Sequence, residues 1–230
     1  MAFDINQFKN IRSFSGRKKY AEQHLQQIGR GSSRVVYDLG DGKVLKLAYN
    51  PKGLAQNETE AGLMNDNISI IAKVFDADED GLWVIMEKAE KMKPSQFKQF
   101  FGYNVHTVDM FLNNYHALSK GRDKRHTWSL PEKTNEDLWE NEYISDITQL
   151  SEWYDIVPTD FGRLANWGVV ERDGTKVPVV VDYGFDSNTA STLYKMKLEH
   201  VKKKFMEEGK GMKLKDWFSK KWRNKVNFQE

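Results

Sequence analysis

The chain of 230 residues contains no cysteine, so disulfide bonds and thiolate chemistry are excluded. This lack fits a reducing compartment, and we expect a cytoplasmic protein. Long apolar runs are also missing: the densest run, Val177–Val181, is far too short to span a bilayer. The first residues lack the basic-then-apolar layout of a signal peptide. We therefore expect neither secretion nor insertion into a membrane.

The composition that remains is that of an ordinary globular protein with an uneven charge. Hydrophobic residues make up 39% and charged residues 30% of a chain long enough for two lobes with a shared cleft. The net charge is +2, but residues 195–225 hold twelve Lys and Arg against four Asp and Glu. This basic segment predicts a surface for nucleic acid or another anionic partner, or an amphipathic helix with solvated lysines. We favour the helix.

Hydrophobic periodicity predicts an α+β fold. In the first 88 residues, strands are expected at 35–39, 43–48, 68–75 and 82–87. A helix is expected at 55–65, and Gly40-Asp41-Gly42 predicts a hairpin between the first two strands. The pattern then turns helical, with candidates at 105–118 and 135–154, before a last hairpin around Asp173-Gly174. We therefore expect a small antiparallel sheet carrying one helix, followed by a mainly helical region.

A glycine-rich turn spans residues 28–37 and joins two predicted strands. Glycines without side chains let the backbone approach a phosphate and offer it N–H groups. A turn between two strands, rather than between a strand and a helix, argues against a dinucleotide-binding fold. A plain β-turn remains the alternative. The candidate nucleotide contacts of this segment are Gly29, Gly31, Ser32, Ser33 and Val36.

A lysine and a glutamate form the next candidate pair. Lys46 lies within an apolar strand, where a charged side chain costs free energy unless it is paired. Glu58 and Glu60 both offer a carboxylate on the following helix, and Glu60 fits better because Leu63 and Met64 continue its inward face. In a functional site Lys46 would contact a phosphate, and Glu60 would orient the Lys46 side chain. A solvated lysine and a solvated glutamate are the alternatives.

Three oxygen-bearing side chains come late in the chain. Asp160 and Asn166 lie in an irregular polar segment, and Asp182 directly follows the apolar run that ends at residue 181. A carboxylate at the exit of a buried strand, followed by Tyr183 and Gly184, is well placed to hold a metal ion at a cleft. Turn-forming or structural residues are the alternative for all three.

In order and spacing these elements resemble the protein-kinase-like superfamily over residues 25–190. Residues 28–37 resemble its glycine-rich loop, with Arg34 where the third glycine is usual. Lys46 resembles the phosphate-binding strand lysine, and Glu60 resembles its partner on the helix. The resemblance implies two lobes with a nucleotide between them.

The rest of the resemblance lies further along the chain. Residues 82–87 look like the strand that runs into the hinge, where backbone groups, including those of Glu87, would meet adenine. Asp160 resembles the catalytic-loop aspartate and Asn166 the metal-binding asparagine of that loop. Asp182-Tyr183-Gly184 resembles the metal-binding D-F-G motif.

The chain also departs from the family pattern. Val157-Pro158-Thr159 stands where a histidine-containing triplet is usual, and Asp160 and Asn166 are one residue further apart than expected. Nothing after Asp182 resembles the A-P-E motif, and only 46 residues follow Gly184. The layout is closer to aminoglycoside-phosphotransferase-like proteins and to bacterial or phage kinase-like proteins.

The resemblance implies a nucleotide-binding lobe at residues 1–88 and a helical lobe at 89–230, which holds the catalytic loop and the basic C-terminal helix. The implied cofactors are ATP and Mg²⁺, and the implied reaction transfers a phosphoryl group to a hydroxyl, with proteins as the first acceptor class. In this interpretation Asn166 and Asp182 hold the metal, and Asp160 orients and deprotonates the acceptor.

Three alternatives stay open. A pseudokinase or scaffold would keep the fold and nucleotide binding without turnover. A nucleic-acid-binding or virion-associated protein would use the basic segment at 195–225. The same fold could also catalyse nucleotidyl rather than phosphoryl transfer, because a fold does not determine a reaction.

Overall fold

The computed structural model describes residues 3–66, 68–121, 127–186, 188–190 and 192. The chain divides into two compact units, and nearly all described residues belong to the first, Met1–Thr189. The predicted basic segment at 195–225 lies outside the described residues. In the described ranges no helix combines the length and the apolar character needed to cross a membrane.

A five-stranded antiparallel sheet dominates the first part of the chain. Its strands are β1 (Gln26–Arg30), β2 (Arg34–Gly40), β3 (Lys43–Ala48), β4 (Val74–Ala77) and β5 (Trp83–Glu87). They lie in the order β1-β2-β3-β5-β4. The predicted hairpin joins β2 and β3, where Asp41 and Gly42 have φ values of 46° and 68°. Positive φ at both central residues is what a tight hairpin requires.

Three helices accompany this sheet. They are α1 (Ile5–Asn10), α2 (Phe14–His24) and α3 (Pro51–Gly62). The predicted helix at 55–65 begins earlier than expected, because the Asn50 side chain accepts a hydrogen bond from the Gly53 amide and Pro51 occupies the first turn. This earlier start adds a full turn to α3 and brings Lys52 into the first turn of the helix.

The remaining elements form a mainly helical part with a small sheet. The helices are α4 (Pro94–Phe101), α5 (Val105–Ser119), α6 (Glu132–Trp139) and α7 (Glu142–Tyr154), followed by two 3-10 turns, Pro158–Gly162 and Leu164–Asn166. The small sheet contains β6 (Glu90–Lys91), β7 (Trp167–Arg172) and β8 (Thr175–Val180), in that order. The predicted α+β architecture, an antiparallel sheet with one main helix followed by a helical region, is confirmed.

Two predicted elements were wrong in extent. The helix expected at 135–154 is two helices: the first ends at Trp139, and Asn141 caps the second by accepting bonds from the Tyr143 and Ile144 amides. The strand expected at 68–75 begins later, as β4 at Val74–Ala77. The residues before it pair with the small sheet instead: the Ala72 amide donates to Val180 O, and the Val180 amide donates to Ile70 O.

One hydrophobic core continues from the sheet into the helical part. It includes Val44 and Met86 from the large sheet and Phe97 and Phe111 from the helices, together with Trp167 of β7. A second, smaller core holds α1 and α2 against the other face of the large sheet. Burial of this apolar surface fixes the two sheets relative to each other, and a cavity lies between them.

Candidate functional site

A cavity of about 300 Å³ opens between the five-stranded sheet and the β7–β8 hairpin. Residues predicted from distant parts of the sequence meet at its walls. Those that line it are Gly29, Gly31, Ser32, Ser33, Val36, Lys46, Glu87 and Asp182. The structure thus brings all the predicted nucleotide contacts and one predicted metal ligand to a single cavity.

Lys46 and Glu60 form a buried ion pair at the inner end of this cavity. Lys46 Nζ lies 2.9 Å from Glu60 Oε1 and 3.0 Å from Oε2, and it also donates to Val181 O at 2.6 Å. Glu60 is fully buried on α3, and the exposed Glu58 points elsewhere. Burial lowers the pKa of Lys46 and outweighs the opposing effect of Glu60.

Arg34 is the functional candidate that sequence reasoning did not assign. It is the first residue of β2, and its buried guanidinium lies between two carboxylates. Nη1 donates to Glu60 Oε2 at 2.6 Å and to Asn57 Oδ1 at 3.1 Å, and Nη2 donates to Asp182 Oδ1 at 2.5 Å. Burial opposes its charge, but the two carboxylates together raise the pKa of Arg34. The guanidinium is therefore a fixed positive charge inside the site.

Asp182 follows β8 and faces the cavity, with 41% of its side chain exposed. Besides Arg34 it has a weaker partner, since Gln56 Nε2 lies 3.5 Å from the same carboxylate oxygen. Enclosure by the cleft walls would raise the pKa of Asp182, but Arg34, Lys46 and Lys52 outweigh it and lower the pKa. Asp182 is thus an ionised carboxylate surrounded by cations.

Asp160 and Asn166 lie next to each other despite the extra residue between them. Two consecutive 3-10 turns take up that residue, and Asn166 Nδ2 donates to Asp160 O at 2.8 Å. The Val181 amide donates to Asn166 O at 2.7 Å, which places the loop beside Asp182. Burial and then the charge of Asp182 raise the pKa of Asp160. The exposed Arg163 forms a long ion pair with Asp160 at 3.6 Å.

Glu87 is placed differently from the other predicted contacts. Its amide donates to Lys73 O at 2.8 Å, and its carboxylate accepts from Arg172 Nη2 at 2.5 Å and from the Lys73 amide. These bonds occupy the Glu87 amide and the Oε2 atom of its carboxylate. The Glu87 side chain therefore has a structural partner, and only the residue's position at the cavity wall agrees with the predicted hinge.

The glycine-rich turn is held by its own hydrogen bonds. The Gly31 amide donates to Arg34 O at 2.9 Å, so a phosphate could use this N–H only if the turn opened. Ser33 Oγ donates to Gln56 Oε1 at 2.5 Å, and Asn50 Nδ2 donates to Ser32 O. The turn is thus tied to the start of α3.

Lys52 is a second residue that the sequence did not single out. It lies in the first turn of α3, lines the cavity, and approaches Ser32 Oγ to 3.4 Å. Its charge contributes to the lowered pKa of Asp182 and partly opposes the rise in the pKa of Asp160. A lysine at this place adds a positive charge to the cavity wall, next to the turn.

The donor set beside Asp182 fits a magnesium ion only as part of a larger coordination shell. Asp182 Oδ2 and Asn166 Oδ1 are oxygens that no hydrogen bond within the described ranges uses. Mg²⁺ is typically held by one or two protein oxygens together with waters and substrate phosphates. In the described part of the chain there is no group of three or more Asp, Glu or His residues that could hold a metal. Two oxygens therefore suit a metal that arrives with a nucleotide.

Comparison with solved structures finds 17 similar chains. The chain is similar to the structure of the ternary complex of streptomycin, ATP and APH(2")-IIa, with 14% sequence identity and a TM-score of 0.31. The similarity covers 76% of this chain and 71% of that one. No protein-family model matches the chain, and no curated protein matches it.

Proposed function

We propose that this protein is a nucleotide-dependent phosphotransferase that moves the terminal phosphoryl group of ATP to a hydroxyl. The observation that carries the proposal is the meeting of Lys46, Glu60 and Asp182 at one cavity beneath a glycine-rich turn. Phosphoryl transfer asks a protein mainly for positioning and charge neutralisation, and this cavity offers both.

The nucleotide would lie with its base between the two sheets. Apolar side chains line this half of the cavity, and a flat purine suits such a lining. They are Val36, Val44, Met86, Ala89 and Trp167. The triphosphate would then point towards Lys46 and the turn at Gly29–Ser33. In this proposal residues 1–88 form the nucleotide-binding lobe and the residues from 89 onwards form the lobe that presents the acceptor.

Asp160 would act on the acceptor hydroxyl. Its raised pKa, caused by burial and by Asp182, makes it a better proton acceptor than an ordinary aspartate. Asn166 holds the backbone of Asp160 through its amide and keeps the loop in place. Asp182 and Asn166 would hold Mg²⁺, which when bound neutralises charge on the transferred phosphoryl group. Protein hydroxyls are the first acceptor class to test, and small hydroxyl compounds are the second.

A second candidate is a protein that binds nucleotide without turnover. The observation that favours it is the ion pair between Arg34 and Asp182, which occupies one oxygen of the proposed metal ligand. Such a protein would bind ATP and show no transfer to any acceptor.

The test combines a binding assay with a transfer assay. We expect ATP to raise the melting temperature of the wild type, and radiolabelled phosphoryl transfer to a mixture of protein and small hydroxyl acceptors to be measurable. Asp160→Asn should keep ATP binding and lose transfer, whereas Lys46→Met should weaken both. ATP binding without transfer in the wild type would favour the second candidate. Absence of ATP binding would overturn both candidates.

A further inference from the structure

The charge balance of the cavity depends on Arg34. Without it, Lys46, Glu60 and Asp182 carry one positive and two negative charges, and a polyanionic phosphate chain would be repelled. With Arg34 these four side chains are neutral, and Lys52 at the mouth adds a positive charge. A divalent cation commonly supplies this neutralisation at phosphate sites. Here a side chain of the protein already supplies part of it.

The guanidinium of Arg34 is held in place before any ligand arrives. Its three partners are Glu60, Asn57 and Asp182, and the first two are fully buried. Asn57 is itself fixed, since its Nδ2 donates to Gly81 O at 2.8 Å. A side chain with this many buried partners does not leave easily, because breaking a buried ion pair leaves an uncompensated buried charge.

Arg34 still has donors to offer to a ligand. A guanidinium carries five N–H groups, two on each Nη and one on Nε. Bonds to Glu60 and Asn57 use Nη1, and the bond to Asp182 uses one hydrogen of Nη2. No bond within the described ranges uses the other Nη2 hydrogen or the Nε–H, and Arg34 lines the cavity. A planar fork of this kind is well suited to phosphate oxygens.

Resting on the proposed function, we propose that Arg34 is a phosphate-binding residue of this cavity. Arg34, rather than a divalent cation, supplies the positive charge with which the site binds the nucleotide. Nucleotide binding is then independent of Mg²⁺, and the metal is needed only for transfer. Arg34 thus contributes to ligand selection, because the site binds the nucleotide without its metal.

The test is the affinity for ATP by calorimetry, in EDTA and in excess Mg²⁺. For the wild type we expect the two dissociation constants to agree within about threefold. Arg34→Met should weaken binding in EDTA by tenfold or more, because a charge-assisted hydrogen bond is lost, while Mg²⁺ restores part of the affinity. Arg12→Met, at an exposed position, is the matched control and should change neither constant.

Asp182→Asn provides a second variant that leaves Arg34 in place. If Arg34 supplies the charge, removal of this carboxylate leaves binding in EDTA unchanged or tighter, because one negative charge near the phosphates is gone. If a metal held by Asp182 supplies it, neither the wild type nor this variant binds appreciably in EDTA, and the variant loses affinity in excess Mg²⁺. This comparison decides the question even if Arg34→Met fails to fold, which thermal melting would reveal.

The outcomes separate this inference from the proposed function. Binding that requires Mg²⁺ in the wild type would overturn the role of Arg34 and leave the proposed function intact. The role of Arg34 would also be overturned if binding were independent of Mg²⁺ but Arg34→Met weakened it no more than Arg12→Met does. An absence of ATP binding in both buffers would overturn both. Mg²⁺-independent binding that is lost in Arg34→Met and kept in Asp182→Asn would support the inference.

Discussion

Arg34 and Asp182 are 148 residues apart in sequence, yet Arg34 Nη2 lies 2.5 Å from Asp182 Oδ1. The bond joins the first residue of β2 to the second residue after β8. Glu60 holds the other side of the same guanidinium. The large sheet, α3 and the segment after the small sheet are therefore linked through the Arg34 side chain.

Asp182→Asn is expected to abolish phosphoryl transfer without unfolding the protein. The amide keeps the size of the side chain and can still accept a hydrogen bond, but it loses the charge that would hold Mg²⁺. Transfer should be measured with radiolabelled ATP, and folding by the melting temperature. Asp173→Asn, in the exposed β7–β8 turn, is the control and should keep full activity. Retained transfer in Asp182→Asn would remove Asp182 from the proposed metal site.

Glu60→Ala is expected to lower the free energy of unfolding by about 3–5 kcal/mol, because two buried cations lose their shared partner. Lys46 and Arg34 both bond to this carboxylate, and Glu60 is fully buried. Glu58→Ala on the same helix is exposed and should change stability by no more than about 0.5 kcal/mol. Urea denaturation measures both. Equal effects of the two substitutions would contradict the buried ion-pair assignment.

Gly184→Ala is expected to destabilise the protein and to displace α3 beside the cavity. A Cβ at Gly184 would lie 2.5 Å from Gln56 O and 2.8 Å from Gln56 Cα, so α3 would have to move. Overpacking of this kind typically costs about 1–3 kcal/mol. Because Gln56 bonds to both Ser33 and Asp182, we also expect weaker ATP binding.

Gly62→Ala is the matched control for this substitution. It lies at the end of α3 with no atom within 4 Å of an added Cβ. An alanine there should leave ATP binding unchanged and should stabilise the helix by up to about 1 kcal/mol. If Gly184→Ala also left ATP binding unchanged and did not lower stability, the close approach of Gly184 to Gln56 would have no energetic consequence.

The ion pair between Asp38 and Lys88 is expected to give a pH-dependent contribution to stability. The Asp38 carboxylate accepts hydrogen bonds from Lys88 and from the Gly40 amide, and these bonds lower the pKa of Asp38. A carboxylate with a lowered pKa stabilises the folded state above its unfolded pKa of about 3.9, and this contribution disappears as the pH falls through the lowered value. Asp38→Asn should thus be less stable than the wild type at about pH 7 and similar to it at strongly acidic pH.

The size of that effect should be small, at most about 1 kcal/mol, because the pair is partly exposed. Denaturant midpoints across the pH range measure it, and Lys88→Met should reproduce the same loss near neutral pH. A double variant no less stable than either single one would indicate that the two side chains act as a pair.

The sequence predicted β2, β3, β5 and the Lys46–Glu60 pair for local reasons, whereas β1 was not among the expected strands. Alternation along the strands and an Asp-Gly turn are short-range signals, and they led to β2, β3 and their hairpin. Glu60 could be chosen over Glu58 because Leu63 and Met64 continued its face, although Leu63 lies just beyond the helix and Met64 is 39% exposed. The choice was right in placing Glu60 inside.

The role of Arg34 could not be read from the sequence. An arginine beside a glycine-rich turn is usually solvated, and its partner Asp182 becomes a neighbour only after the chain has folded. The extent of the 68–75 strand was also missed, because its apolar residues are buried equally well by pairing with β8. Lys52 was missed because the start of α3 depends on the capping by Asn50, which the hydrophobic pattern does not record.

Backbone hydrogen bonds between Ile70–Ala72 and Val180 join the two sheets at one side of the cavity. Arg172 reinforces this junction by donating to Ser69 O and Ile71 O, and the Tyr183 hydroxyl donates to Ala72 O. These hydrogen bonds hold the two sheets together along this junction. We therefore expect the glycine-rich turn, rather than this junction, to move when a ligand enters the cavity.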